Sequence, residues 1–157
     1  MIFEELHTKV NTVINSIDEI ISDEVIEHED FITSSNKSQL WDGKTFKDED
    51  ITPLYSQDPF FKTKKQAIGY RNWKQRITPN SRRNPDAPNL FINGFFYSSI
   101  EAKKENNEIF IGTNSGFGSE VEAGHKDIFG LTDEHWDGLI NLSLDNIKKN
   151  IVDEITG

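Results

Sequence analysis

The sequence predicts an α+β protein: a small antiparallel sheet packed with a long C-terminal helix, plus a long amphipathic N-terminal helix, all in a single domain over residues 1–157. Three observations carry this. Apolar residues recur at spacings of three and four in a stretch near each end of the chain, and the densest apolar run, Asn89 to Asn114, divides into two strand-like halves around a polar connector. At 157 residues the chain suffices for one core and is short for two. It divides into a helix over 1–28, a largely irregular stretch over 29–88 that is basic in 60–83, and a hairpin with the C-terminal helix over 89–157.

Ile2, Phe3, Leu6, Val10, Val13, Ile14, Ile17, Ile20, Ile21 and Val25 fall on one stripe of a helix running from 2 to 27. Asp18, Glu19, Asp23, Glu24 and Glu27 cover much of the rest of its second half, as a solvated face or as a docking surface for a basic partner. After His28 the periodicity stops, and Thr33-Ser34-Ser35-Asn36-Lys37-Ser38 has loop composition. Asp42-Gly43 signals a turn, and Ile51 to Ser56 reads as a short extended piece bounded by Pro53 and Pro59. Little regular structure is expected from 30 to 58.

Phe60 to Arg83 carries Lys62, Lys64, Lys65, Arg71, Lys74, Arg76, Arg82 and Arg83 and no acidic residue. Phe61, Lys65, Ile68 and Trp73 suggest a short helix weakened by Gly69, and Pro79, Pro85 and Pro88 exclude a helix interior from 78 to 89. Cations interleaved with Phe60, Phe61, Tyr70 and Trp73 suit a single-stranded nucleic-acid groove, and equally an exposed protein-facing segment. Lys62, Lys64, Lys65, Arg71, Trp73, Lys74, Arg76, Arg82 and Arg83 are therefore the candidate interface or DNA-facing residues.

In the central run, Phe95, Tyr97, Ser99 and Glu101 alternate with Phe96, Ser98, Ile100 and Ala102, which predicts a strand with Phe96, Ile100 and Ala102 on one side. Glu108 to Asn114 is its partner, and Lys103-Lys104-Glu105-Asn106-Asn107 is the connecting turn. Glu120 to Gly124 reads as one or two helical turns ended by glycine, and Ile128 to Leu131 returns to the core. Thr132 stands before Asp133-Glu134 as a helix cap, and Trp136, Leu139, Ile140, Leu144, Ile147, Ile151 and Ile155 extend that helix from 133 to 155.

The net charge of −10 conceals three blocks, of −9 over 1–50, +7 over 51–104 and −8 over 105–157. A chain polarised in this way can attract copies of itself. Its overall sign argues against generic nucleic-acid binding. With no cysteine, disulfides, cysteine nucleophiles and thiolate metal sites are excluded. No apolar run approaches the roughly 20 residues of a membrane span, and Met1-Ile2-Phe3-Glu4-Glu5 lacks the basic start of a signal peptide, so synthesis and use in a cytosol is the expectation.

Chemistry finds little to build on. Glu122 and His125 share the spacing of carboxylate-bridged metal helices, but Gly124 interrupts them and the further ligand pairs of that design are missing; His28 lies in an acidic run of its own. There is no Gly-x-Ser-x-Gly elbow, and Gly112, Gly116 and Gly118 are not followed by the Gly-Lys-Ser/Thr of a phosphate loop. Neither an enzymatic activity nor a cofactor is expected.

Leu90, Gly94, Ser99-Ile100, Gly112-Thr113-Asn114, Phe117-Gly118, Val121-Glu122 and Gly124 together resemble the virion-morphogenesis and tail-completion proteins of tailed bacteriophages, small components of the neck or tail end. Gln39 to Lys44 and Thr52 to Ser56 are similar to that family's Asp-Gly and Pro-x-Tyr-Ser segments, while Asn93 and Val121 stand where it usually has Thr or Ser and His. The resemblance covers 39 to 155. It implies a long helix packed on a small antiparallel sheet, a non-enzymatic role in head–tail joining or tail completion, and ring assembly. Residence in the virion among other neck or tail proteins, with contact to packaged DNA open to the basic block, is implied with it. Lys103, Lys104, Glu105, Asn106 and Asn107 are then the candidate inter-subunit turn.

Overall fold

The computed structural model describes residues Ile2–Gly157. Two long helices frame the α+β chain as the apolar spacing predicts: α1 over Ile2–Ile26 and the last helix, α6, over Asp133–Thr156. Thr132 caps α6, its side chain accepting from the His135 amide, and Asp133 and Glu134 place negative charge on the first turn, where the helix dipole favours it.

Between them the chain is less irregular than its composition suggests. Helix α2 occupies Glu29–Trp41, which overturns the expectation of little regular structure from 30 to 58, and helix α3, Lys64–Ile77, is the helix suggested by Phe61, Lys65, Ile68 and Trp73, so 29–88 is less irregular than expected. The reason is visible in α2. Ile32 and Leu40 point inward, but so do Thr33, Ser35, Asn36 and Gln39, all buried. An inward face built from amides and hydroxyls has no apolar periodicity to read. In α3, Thr63 and Gln66 form a reciprocal capping box, which holds the start of a helix that runs through Gly69 to Ile77.

The hairpin is formed by β1, Ile100–Glu105, and β2, Glu108–Thr113, antiparallel and paired from Ile100 with Thr113 to Glu105 with Glu108. Its turn is only Asn106-Asn107, with φ of 50° and 65°, the left-handed pair that a two-residue hairpin turn requires. Lys103, Lys104 and Glu105 thus belong to the strand rather than to a five-residue connector. At the other end, Phe95–Ser98 is a helical turn, α4, launched by Gly94 at φ 86°, so the strand expected from Phe95 starts at Ile100. The last short helix, α5, spans Gly116–Gly124.

Two clusters form the core, one of Leu40, Ile51, Phe96, Ile100 and Ile128, the other of Ile32, Ala102, Leu131 and Leu139. Ile111 of β2 packs against both. Helix α6 runs antiparallel to α1 and α2, because its partners fall in number as its own residues rise. Thr132 meets Gln39, Gly138 faces Phe31, Leu139 joins Val25 and Ile26, and Asn146 donates to Glu24. Beyond Asn146 α6 continues for ten residues, about 15 Å, whereas α1 has twenty-two residues ahead of Glu24, about 33 Å. The first turns of α1 therefore extend past the end of α6. Val13 is the first buried residue of α1, and Ile2, Phe3 and Leu6 are exposed.

Because Leu40 is fully buried in the first cluster, Leu40→Ala is expected to lower unfolding free energy by about 2–5 kcal/mol, read as a lower urea midpoint. A loop residue at that position would shift it by less than ~0.5 kcal/mol.

Candidate interaction surfaces

Three of the segments singled out in the sequence, Ser99-Ile100, Gly112-Thr113-Asn114 and Phe117-Gly118, meet at the base of the hairpin. The Ser99 hydroxyl donates to Phe96 O at 2.7 Å, so the Thr113 hydroxyl, 2.7 Å away, donates to Ser99 Oγ. The Asn114 amide donates to Ser99 O, and the Ser115 hydroxyl caps α5 by accepting from the Gly118 amide at 2.9 Å. Gly118 itself lies against Thr113, where a Cβ would collide with the threonine Oγ1. Leu90 packs against the first core cluster and Tyr97 donates to Asn89 O at 2.6 Å, tying in the segment before Gly94. These positions are scattered along the chain but form one junction between α4, the two strands and α5.

The basic segment separates into surface and interior. Lys62, Lys64, Lys65, Arg76 and Arg82 are exposed, Arg71 and Trp73 partly so. Arg82 reaches Asp42 at 3.2 Å. Lys74 and Arg83, expected at the same interface, are instead buried. The Lys74 ammonium donates to Phe91 O, and burial, reinforced by nearby Arg83, pulls its pKa down to about 8. Arg83 donates to Thr78 O at 3.1 Å, Thr78 Oγ1 at 3.3 Å and Gln75 Oε1 at 3.2 Å. Its stem lies on Gly43, a left-handed residue at φ 69° where a Cβ would come within 2.8 Å of Arg83 Cγ. Both cations brace the segment from inside.

The aromatic residues of this region stack mainly on each other. Tyr55, Phe61, Tyr70 and Trp73 form a chain of tilted and edge-on contacts with centroids 5.1–6.3 Å apart, and Phe60 caps it while remaining 79 % exposed. Beside them opens a mainly apolar pocket of about 430 Å³, lined among others by Phe60, Tyr70, Phe91, Ile92 and Phe117, with Lys74 in its wall. Sequence reasoning missed this pocket, whose lining comes from Tyr55 to His125 across helices α3, α4 and α5 and the loops around them.

A second surface is acidic and apolar. The pair formed by α1 and α6 exposes Ile14, Ile140, Leu142, Leu144 and Val152 as well as the projecting Ile2, Phe3 and Leu6. Glu24 is drawn inward between Asn146 and His28, at 3.0 and 3.2 Å. Of the candidate inter-subunit turn, Lys104 pairs with Asp23 of α1 and Lys103 with Glu101, at 3.1 Å for the latter, while Glu105, Asn106 and Asn107 are exposed at the tip.

The histidines serve local contacts. His125 follows the last residue of α5 and its Nδ1 donates to Thr52 O at 2.8 Å; His135 Nδ1 donates to Gln39 Oε1 at 2.7 Å. Among the described residues no group of three or more His, Asp or Glu side chains is disposed to hold a metal ion, and no helix is long and apolar enough to cross a membrane. No family model, curated protein or solved structure matches the chain.

Gly118→Ala is expected to cost about 1–3 kcal/mol in urea unfolding, because the new methyl must displace Thr113 and break its hydroxyl pair. Gly69→Ala, in the middle of α3 with open space around it, should instead stabilise by about 0.5–1 kcal/mol. Lys74 gives a pH signature. The folded chain releases its proton near 8 and the unfolded chain holds it to 10.5, so between those values the unfolded state binds more protons and stability rises with pH. Burial raises the pKa of Tyr55 and Tyr97, which acts with the opposite sign at higher pH. Urea unfolding between about pH 8 and 9.5 should show wild type gaining stability relative to Lys74→Met; parallel slopes would rule out the buried charge.

Proposed function

We propose that this chain is a structural virion protein of a tailed phage, acting in head–tail joining or tail completion by assembling into a ring, without enzymatic chemistry or a cofactor. The observation that carries the reading is the junction at the hairpin base. Ser99, Thr113, Asn114 and Gly118, drawn from three of the segments that resemble that family in sequence, form one hydrogen-bonded and close-packed unit, as residues fixed for a common structural reason should. A non-enzymatic role is supported by how polar groups are used. The hydroxyls of Ser99 and Thr113 and the rings of His125 and His135 are spent on holding the backbone and one another.

Ring assembly is supported by the two unlike surfaces. A ring repeats a heterologous contact, in which one face of a subunit meets a different face of the next. The acidic apolar α1–α6 pair and the basic aromatic region around α3 have the opposite charges such a contact needs. Other neck or tail proteins are the further partners, and the protein would be assembled in the host cytoplasm and reside in the virion.

Single-stranded nucleic-acid binding has weaker geometric support. Its stacking rings are largely turned onto each other, and Lys74 and Arg83 are interior. Negative-stain imaging of the purified chain, alone and with the other virion proteins, is expected to reveal rings. A protein that stays monomeric in both conditions and is absent from purified particles would overturn the reading. Salt-sensitive binding to single-stranded DNA, lost when Lys64, Lys65, Arg71 and Arg76 are reversed to Glu, would replace it with nucleic-acid contact.

A further inference from the structure

The projecting end of α1 is amphipathic, and its apolar side chains are exposed among the described residues. Phe3 is 85 % and Ile2 80 % exposed, Leu6 lies one turn on, and Glu4 and Glu5 beside them are also exposed. On a different part of the molecule lies a pocket of about 430 Å³ whose rim exposes Phe60, Ile92 and Phe117. No residue of α1 or α6 lines it. Lys62 directly follows Phe60 and Phe61, and Lys64 and Lys65 begin α3. These three lysines are exposed and belong to no ion pair among the described residues.

We propose that the pocket receives the projecting end of α1 from a second copy of this chain, with Phe3 and Leu6 entering between Phe60, Ile92 and Phe117 while Glu4 and Glu5 face Lys62, Lys64 and Lys65. The proposal rests on the ring-assembly reading and specifies the contact that reading leaves open. Shape and charge select the occupant together. The pocket is of a size for large apolar side chains, which α1 presents at Phe3 and Leu6, three residues apart on one face; the carboxylates of Glu4 and Glu5 on its flanks match the unpaired Lys62, Lys64 and Lys65, which follow the lining residues Phe60 and Phe61 in the chain. Both halves belong to one chain and to separate surfaces, so each copy gives one end and receives another. The apolar insertion supplies the anchor, and the exposed ion pairs contribute orientation and a dependence on salt.

The chain has no cysteine, so a pair of introduced thiols reports this contact alone. His7 and Asn93 are both exposed, His7 one turn after Phe3 and Asn93 beside Ile92 in the pocket lining, and neither is an anchor. In the full chain, His7→Cys combined with Asn93→Cys, treated with a short bismaleimide in whichever condition yields rings, is expected to give a ladder of dimers, trimers and higher species. Neither single variant should do so, and adding Phe3→Asp should remove the ladder while leaving the urea midpoint unchanged, since Phe3 touches little of its own chain. Dimers from His7→Cys alone would mean that two α1 ends meet each other, and an internal cross-link without a ladder would mean that α1 fills its own pocket; either overturns the proposal. Rings that form without a ladder overturn this contact, give the pocket another occupant and leave ring assembly standing. Monomers in both conditions overturn contact and ring together.

Discussion

The rest of the structure depends on how the polar face of α2 holds the chain that leads into α6. Asn36, with no exposed surface, donates to Ile128 O at 2.8 Å and Gly130 O at 2.9 Å, and Gln39 donates to Gly130 O at 3.0 Å. The Gln39 carbonyl oxygen in turn accepts from the Thr132 amide and from His135. Residues 128–132 have no strand or helix to satisfy their backbone, and buried peptide groups left unpaired are costly. Two amide side chains do for this loop what a neighbouring strand would do in a larger sheet. They thereby fix where α6 starts and in which direction it runs back along α1.

From that fixed start follows the separation of the two surfaces. The hairpin has too few strands to stand alone and gains its stability from what packs on it. Ile100 and Ala102 place adjacent residues of one strand face into two different clusters, while Ile111 touches both. The α1–α6 pair builds on the second cluster and the aromatic pocket borders the first through Phe96. In the ring we propose, a subunit that passed a constant angle to its neighbour would need a stiff connection between the face it gives and the face it receives. A shared, closely packed core of this kind provides one.

What the sequence made legible was what repeats. The 3.6-residue period located both long helices, and Thr132 with Asp133 and Glu134 located the start of α6. Strand β2 was visible in its β-branched and aromatic residues, and the turn in its asparagines, although its length was not. Phe95–Ser98 alternates like a strand, yet Gly94 in a left-handed conformation redirects the chain into a helical turn before the pairing begins. Helix α2 was hidden by its polar inward face. Lys74 had one available signal, the spacing Ala67, Tyr70, Lys74 and Thr78 that puts it on the inward stripe of α3. Arg83, between prolines, had none. The pocket, assembled from distant segments, has no local pattern at all.

The two interior cations explain why a basic run is a poor measure of the field outside the protein. The segment from Thr78 to Phe91 contains no regular element, so its inward carbonyls need donors from elsewhere. Lys74 supplies one to Phe91 and Arg83 supplies one to Thr78, each at the expense of desolvating a charge. That expense is large enough to move the Lys74 proton toward neutral pH, and it is tolerated because a neutral amine is still a donor. The charge left at the surface is concentrated in Lys62, Lys64, Lys65, Arg71, Arg76 and Arg82, on solvated side chains whose individual ion pairs are weak. An assembly contact here cannot rest on those charges alone. It needs an apolar anchor, and the open aromatic pocket beside the lysines is where the fold provides one.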